Sequence, residues 1–189
     1  VDLNQDIIDF RARFAGMSES IVSANKNRLM VFVDSDDGKC SITFDPQDAA
    51  EPESNLAQFP LLVIGQNLFK FDASETLCDM KNGGMEGALW NAQGVRQNVA
   101  PTDIVIDFRG GPIHGDFEIK NFIDCLGCHR GGWNIFDEQI KDSVLSNSGN
   151  FLAEDIRIVK ELYVSQAQLN GIFVSHNDEF RETRKVINI

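Results

Sequence analysis

The stretch Cys125-Leu126-Gly127-Cys128-His129 lies near the start of the part of this 189-residue chain that has helical patterning, after a longer part with strand-like patterning. It has the C-x-x-C-H spacing by which a c-type haem is attached: both thiols bond to the haem and the adjoining imidazole binds the iron. The chain has only four Cys and three His, so an accidental match is improbable. The stretch predicts one covalent haem c, held by Cys125 and Cys128, with His129 as its proximal iron ligand.

Two other chemistries fit part of the stretch. A tetrahedral zinc site using Cys125, Cys128 and His129 needs a fourth ligand and usually a second ligand pair at similar spacing. The sequence contains no second C-x-x-C and no H-x-x-x-H. A thioredoxin-like dithiol begins the helix of a βαβ unit, and no strand and crossover pattern precedes Cys125. Zinc binding and dithiol chemistry stay open as alternatives to haem.

Before the motif, the sequence has the pattern of short strands separated by turns. We expect a mainly β module over residues 1–110, with strands at residues 28–33, 40–44, 61–64 and 104–106. Turns rich in Asn, Asp and Gly are expected at residues 36–38, 82–84 and 92–94. The apolar spacing over residues 1–18 predicts a short amphipathic helix ending near Gly16.

The segment Arg109-Gly110-Gly111-Pro112 forms a break that a regular element does not easily cross. Beyond it, apolar residues recur at helical spacing, and we expect helices at residues 116–125, 136–145, 152–163 and 166–186. Residues 111–189 are therefore predicted to form a helical haem-binding domain. The predicted fold class is α+β, an N-terminal antiparallel β-module followed by a C-terminal helical cytochrome-c-like haem domain.

Composition and charge limit the possible partners. The chain is 42% hydrophobic, enough for a core, and its formal net charge of −12 disfavours nucleic acid and anionic membrane surfaces. A redox partner that is basic at its docking surface suits this charge. No run of about 18 apolar residues occurs, so we expect no membrane span. Because the sequence starts at Val1, we expect an exported periplasmic or extracellular protein whose signal peptide has been removed.

Two cysteines lie outside the motif. Once Cys125 and Cys128 are assigned to haem, Cys40 and Cys78 remain as an even pair. In an oxidising compartment such a pair favours a disulfide. Two separately buried thiols are the alternative, because a sequence does not give the separation of two Cβ atoms.

The second axial ligand of the iron is not marked by any motif. All four Met residues precede the C-x-x-C-H stretch, and the candidates are Met85, beside a glycine turn, and His114, close to the motif. Met80 has a weaker context, and His176 on the last predicted helix is expected to be a surface residue. An iron with an open distal position is the remaining possibility.

The chain as a whole resembles a family of exported bacterial monohaem c-type cytochrome proteins found in planctomycetes, myxobacteria and proteobacteria. The resemblance lies in the C-x-x-C-H stretch with Gly132 after it and in flanking blocks at residues 24–28, 80–88, 94–105, 137–140, 151–163 and 178–180. The block at residues 80–88 lacks the Pro and the Tyr of the family pattern, and Cys40 and Cys78 are departures from it. The resemblance implies haem binding and export but no substrate.

These features lead to one expected function and two alternatives. We expect an exported monohaem cytochrome that carries single electrons, with the β-module as a docking or assembly surface. The sequence shows no phosphate-binding glycine loop, nucleophile elbow or metalloprotease spacing, so an electron carrier is expected rather than an enzyme. One alternative is a haem protein with an open iron site, acting as a small-ligand sensor or peroxidase-like enzyme. The other is a structural subunit of a multi-copy cytochrome complex or filament, such as a homo-oligomer.

Overall fold

The fold is built on a six-stranded antiparallel sheet in which each strand pairs with the next along the chain. The computed structural model describes residues 13–17, 28–36, 38–47, 52–63, 69–102, 105–107 and 116–186. The strands are β1 Arg13–Met17, β2 Arg28–Ser35, β3 Gly38–Pro46, β4 Phe71–Asp79, β5 Met85–Asn91 and β6 Arg96–Gln97. The antiparallel sheet predicted from the sequence is therefore present.

Among the described residues, four helices follow the sheet. They are α1 Ile123–Cys128, α2 Ile140–Ser146, α3 Ala153–Leu162 and α4 Gln166–Val186, with short 3-10 turns at Pro52–Ser54 and Ser148–Asn150. The Glu138 carboxylate accepts the backbone N–H groups of Ile140, Lys141 and Asp142 and so satisfies the free donors at the start of α2. No helix among the described residues is both long and apolar enough to cross a bilayer.

The sheet is covered on both faces, which explains why β2 is a continuous apolar run instead of an alternating one. Leu29 and Val31 pack in one core cluster with side chains from α2 and α3. Met30 and Phe32, which point to the opposite face, pack in a second cluster with Cys125 and residues of α4. The candidate site therefore lies on one face of the sheet, and the α2 and α3 contacts lie on the other.

Several sequence predictions are corrected by the structure. Residues 13–17 form β1, paired with β2, where a helix was expected; the rest of that predicted helix lies outside the described residues. Residues 61–63 form turns although a strand was expected, because a short apolar run is buried as readily in a loop: Val63 belongs to the first core cluster. Val105 and Ile106 belong to no strand.

The helix expected over residues 116–125 begins only at Ile123. Phe122 has a φ of 70°, a left-handed conformation that ends any right-handed helix approaching from the N-terminal side. The remaining three helices agree with the predicted ones to within about four residues at either end, which is the usual error of a boundary. The predicted break at residues 109–112 and the domain division after residue 110 lie outside the described residues.

Candidate cofactor site

The three chemical groups of the C-x-x-C-H stretch line a single cavity. Cys125, Cys128 and His129 face a space of about 410 Å³ that is bounded on the other side by residues of β2, β3, β4 and β5. This volume falls within the range of about 300–1,000 Å³ typical of small-molecule and cofactor sites. Much of the lining is apolar and includes Met30, Leu77, Leu89, Trp133, Ile135 and Phe136. The fold thus creates a mainly apolar chamber against the motif.

Gly87 on β5 allows α1 to approach the sheet closely. A Cβ atom at this position would lie 3.1 Å from Leu77 Cδ2 and 3.5 Å from Cys125 Sγ. A glycine inside a strand often marks a place where another part of the chain comes close. Gly87 lies in the 80–88 block of the family resemblance, but nothing in that block predicts its contact with Cys125.

The environment of Cys125 disfavours its thiolate. Burial, and next the negative charge of Glu75, raise the pKa of the Cys125 thiol to about 12. Thiols that act as nucleophiles or redox dithiols have pKa values below that of free cysteine, because positive charge or a helix N-terminus stabilises the thiolate. Cys128 is half-buried with its Sγ 3.8 Å from Asp107 Oδ2, and neither motif cysteine forms a disulfide. This environment does not resemble that of a reactive dithiol.

The ring of His129 has a defined orientation. Its backbone N–H donates to the Cys125 carbonyl at 2.8 Å, and its Nδ1 donates to the Gly132 carbonyl at 3.2 Å. Because a carbonyl oxygen only accepts, the proton of the neutral imidazole must be on Nδ1. Nε2 is then left with a lone pair available to bind a metal ion, an arrangement common among metal-binding histidines.

Trp133 provides a test of whether the chamber suits a haem. Trp133 is one of the residues that line the cavity and is 3% exposed, and its buried Nε1 has no hydrogen-bond partner among the described residues. A buried donor left unpaired costs about 1–3 kcal/mol, and buried Trp N–H groups usually have an acceptor. A haem carries two carboxylates, either of which is an acceptor of the required kind. The orphaned indole N–H, the apolar chamber and the orientation of His129 all fit a haem.

The charged residues that line the chamber are mostly acidic. Asp45, Glu75, Asp107 and Asp124 contribute carboxylates. Arg28 is the lining residue of opposite charge within the described part of the chain, and its Nε lies 2.7 Å from Asp45 Oδ1 in a buried ion pair. A negative lining favours a positively charged centre within the chamber.

The candidates for a second iron ligand fall in different places. Met85 is buried in the second core cluster beside Cys125, but it is not among the described residues that line the chamber. Met80 is exposed and borders a separate polar cleft, and His114 lies outside the described residues. Met30 does line the chamber. Met30 lies on β2 on the same face as Phe32. This alternation along the strand was the sequence signal for its place in the chamber, and it was missed. The identity of the distal ligand stays a prediction.

The predicted disulfide between Cys40 and Cys78 is confirmed. The two residues are directly opposite each other on β3 and β4. The sequence suggested the pair by elimination, whereas the cross-strand position could not be foreseen because β4 itself was not predicted.

Comparison with known proteins gives no relative for this chain. No family model, curated protein or solved structure matches it. Within the described ranges, no group of three or more His, Cys, Asp and Glu side chains is arranged to hold a metal ion. The interpretation of the site therefore depends on its own residues.

Proposed function

We propose that this protein is an exported monohaem c-type cytochrome that carries single electrons. The observation that supports this most strongly is the common chamber of Cys125, Cys128 and His129, with His129 Nδ1 engaged and Nε2 left available. The chamber has the size and apolar lining of a cofactor site. Bound there, haem would supply an iron that alternates between the ferric and ferrous states by one electron.

In this proposal each part of the site has a separate task. Cys125 and Cys128 hold the group covalently, and His129 is its proximal ligand. Met30, Leu77 and Leu89 make the lining of the chamber apolar, and the buried Trp133 N–H is a donor for which a haem carboxylate would be an acceptor. The acidic lining stabilises the ferric state over the ferrous state, which favours a low reduction potential.

The two other chemistries considered for the C-x-x-C-H stretch, a redox dithiol and a zinc site, have less support. The raised pKa of Cys125 opposes dithiol chemistry, which requires an accessible thiolate. A zinc site also needs a fourth ligand and usually a second ligand pair, and the sequence has no second C-x-x-C and no H-x-x-x-H. Covalent attachment to haem consumes both thiols and requires no thiolate in the folded protein.

We further propose that the partner is a redox protein with a basic surface. Exposed apolar side chains surround the motif, among them Phe122, Ile123, Leu126 and Ile135. The chain has a formal net charge of −12, so a partner with an apolar contact ringed by Lys and Arg is complementary in both respects. The rate of electron transfer to a small basic cytochrome is expected to fall steeply as ionic strength rises; a rate independent of salt would contradict this part.

The test of the haem assignment is an optical spectrum with a pyridine haemochrome assay, on protein made together with a cytochrome c maturation apparatus. We expect a c-type haemochrome and a denatured chain heavier by one haem. Cys125→Ser with Cys128→Ser should abolish covalent haem. The matched control, Cys40→Ser with Cys78→Ser, makes the same chemical change and should keep it. A wild-type chain without covalent haem would refute the proposal.

A further inference from the structure

Asn177 on α4 forms two hydrogen bonds with the backbone of the segment that follows His129. It is 3% exposed, and its Oδ1 accepts the Trp133 N–H at 2.7 Å while its Nδ2 donates to the Trp133 carbonyl at 3.0 Å. The two residues are 44 positions apart in the chain. Gly132 has a φ of +104°, and a Cβ added there would collide with Asn177 Oδ1. The close approach of Asn177 therefore requires glycine at position 132.

The same peptide unit that Asn177 holds also binds His129. The carbonyl of Gly132 and the N–H of Trp133 belong to one planar trans peptide, so they point in opposite directions. The N–H is fixed by Asn177, and the carbonyl accepts the His129 Nδ1 proton. Fixing one end of this peptide thus fixes the direction of the other.

We infer that Asn177 is a positioning residue for His129, acting through the Gly132–Trp133 peptide; this inference rests on the proposed function. Asn177 holds the Gly132 carbonyl toward His129, which keeps the ring proton on Nδ1 and presents Nε2 to the chamber. Without Asn177, two adjacent glycines, Gly131 and Gly132, leave this peptide free to rotate.

The hydrogen bond from His129 Nδ1 should affect the reduction potential of the iron in one direction. A hydrogen bond from Nδ1 increases the basicity of a metal-bound imidazole, and such outer partners change metal affinity by about 10- to 100-fold. A more basic imidazole stabilises the ferric state. Loss of the Asn177 contact should therefore raise the midpoint potential and let the Nδ1 proton exchange with solvent more quickly.

The experiment compares three variants of the haem-loaded full chain. Asn177→Ala removes both contacts, and Asn177→Asp keeps an oxygen at the Oδ1 position. Leu169→Ala is the control for general loss of stability, because Leu169 is fully buried on α4 and belongs to the same core cluster as Trp133. The readouts are the midpoint potential and the exchange rate of the His129 Nδ1 proton in the ferrous protein, measured by NMR.

We expect Asn177→Ala to raise the potential and to speed Nδ1 exchange about 10-fold or more. Asn177→Asp should keep slow exchange, and Leu169→Ala should change neither readout beyond its effect on stability. If Asn177→Ala does not fold, Asn177→Ser, whose side chain is too short to reach the peptide in the same way, replaces it. Potential and exchange unchanged on loss of the amide would overturn the inference.

Haem content on the same samples separates the two proposals. Wild-type protein with haem but no effect of Asn177 would refute the inference alone. Wild-type protein without haem would refute the proposed function, and the imidazole ¹⁵N shifts of the haem-free full chain would then decide the inference. A single Nδ1–H tautomer in the wild type and a mixture in Asn177→Ala would support it; the same tautomer in both would overturn it.

Discussion

The imidazole of His176 stacks on the indole of Trp133, with ring centroids 3.8 Å apart and an interplanar angle of 16°. His176 Nδ1 also donates to Asp79 Oδ1 at 2.9 Å. His176 is 6% exposed, so the expectation that it is a surface residue is wrong. Through His176 and its neighbour Asn177, α4 holds both the side chain and the backbone of Trp133.

The close approach at Gly87 predicts a large effect of a single methyl group. Gly87→Ala forces a Cβ toward Leu77 and Cys125, and overpacking of this kind typically costs about 1–3 kcal/mol in the free energy of unfolding. Gly171→Ala is the matched control, because a Cβ there meets open space in the interior of α4; it should be neutral or stabilising. Urea unfolding measures the free energy of unfolding of both variants, and equal values would contradict the close packing of Gly87.

The disulfide predicts a loss of stability that is separate from cofactor attachment. It closes a loop with a sequence separation of 38 residues, and removing such a bond typically costs about 2–5 kcal/mol. Cys40→Ser with Cys78→Ser should lower the urea midpoint of unfolding by a corresponding amount. A reducing agent should have the same effect on the wild type and none on the variant, and a variant as stable as the wild type would argue against the prediction.

Asp79 predicts a dependence of stability on pH. Burial alone would raise its pKa, but hydrogen bonds from His176 and the Lys39 N–H outweigh that effect and hold the pKa of Asp79 below its usual value. The stabilisation is therefore present above the unfolded pKa of about 3.9 and is lost as pH falls through the folded pKa. Asp79→Asn should flatten the loss of stability below about pH 4. The exposed Asp34 supplies the control, Asp34→Asn, which should keep the wild-type slope.

The position of Met30 predicts which methionine would coordinate the iron if the distal ligand is a thioether. Met30 lines the chamber, whereas Met85 packs in the core beside it. If the haem has a thioether ligand, Met30→Leu should abolish the thioether-to-iron charge-transfer band and lower the midpoint potential, while Met85→Leu should leave the band in place. The opposite result would assign the ligand to Met85, and a band that survives both changes would exclude the two together.

The negative charge of Glu75 is expected to lower the midpoint potential of a haem in the chamber. Its carboxylate lines the chamber and disfavours the thiolate of Cys125. Glu75→Gln removes a negative charge near the cofactor and should raise the midpoint potential, because the ferric state loses a stabilising neighbour. Glu86→Gln, on the adjacent strand and exposed, should change the potential much less. Equal shifts in the two variants would mean that only the overall charge matters.

The extent to which the sequence predicted the structure depends on how strongly each segment is patterned. β2 and α4 were predicted well because an apolar run and a long helical period are strong local signals. β4 was missed because Phe71–Asp79 has few apolar residues and is mostly half-buried. The motif cysteines and His129 were recognisable from their spacing. Gly87, Trp133 and Asn177 were not, because their roles arise from contacts between distant parts of the chain.

The pairing of β3 with β4 also bears on which of the four cysteines pair with each other during export. Four cysteines allow three pairings, and two of them would consume the motif by joining it to Cys40 and Cys78. In a chain exported N-terminus first, Cys40 and Cys78 reach the oxidising compartment before Cys125 and Cys128, and the register of β3 with β4 places them opposite each other. The Cys40–Cys78 disulfide can therefore form while no competing thiol is present. The order of the residues along the chain thus protects the later pair for its own chemistry.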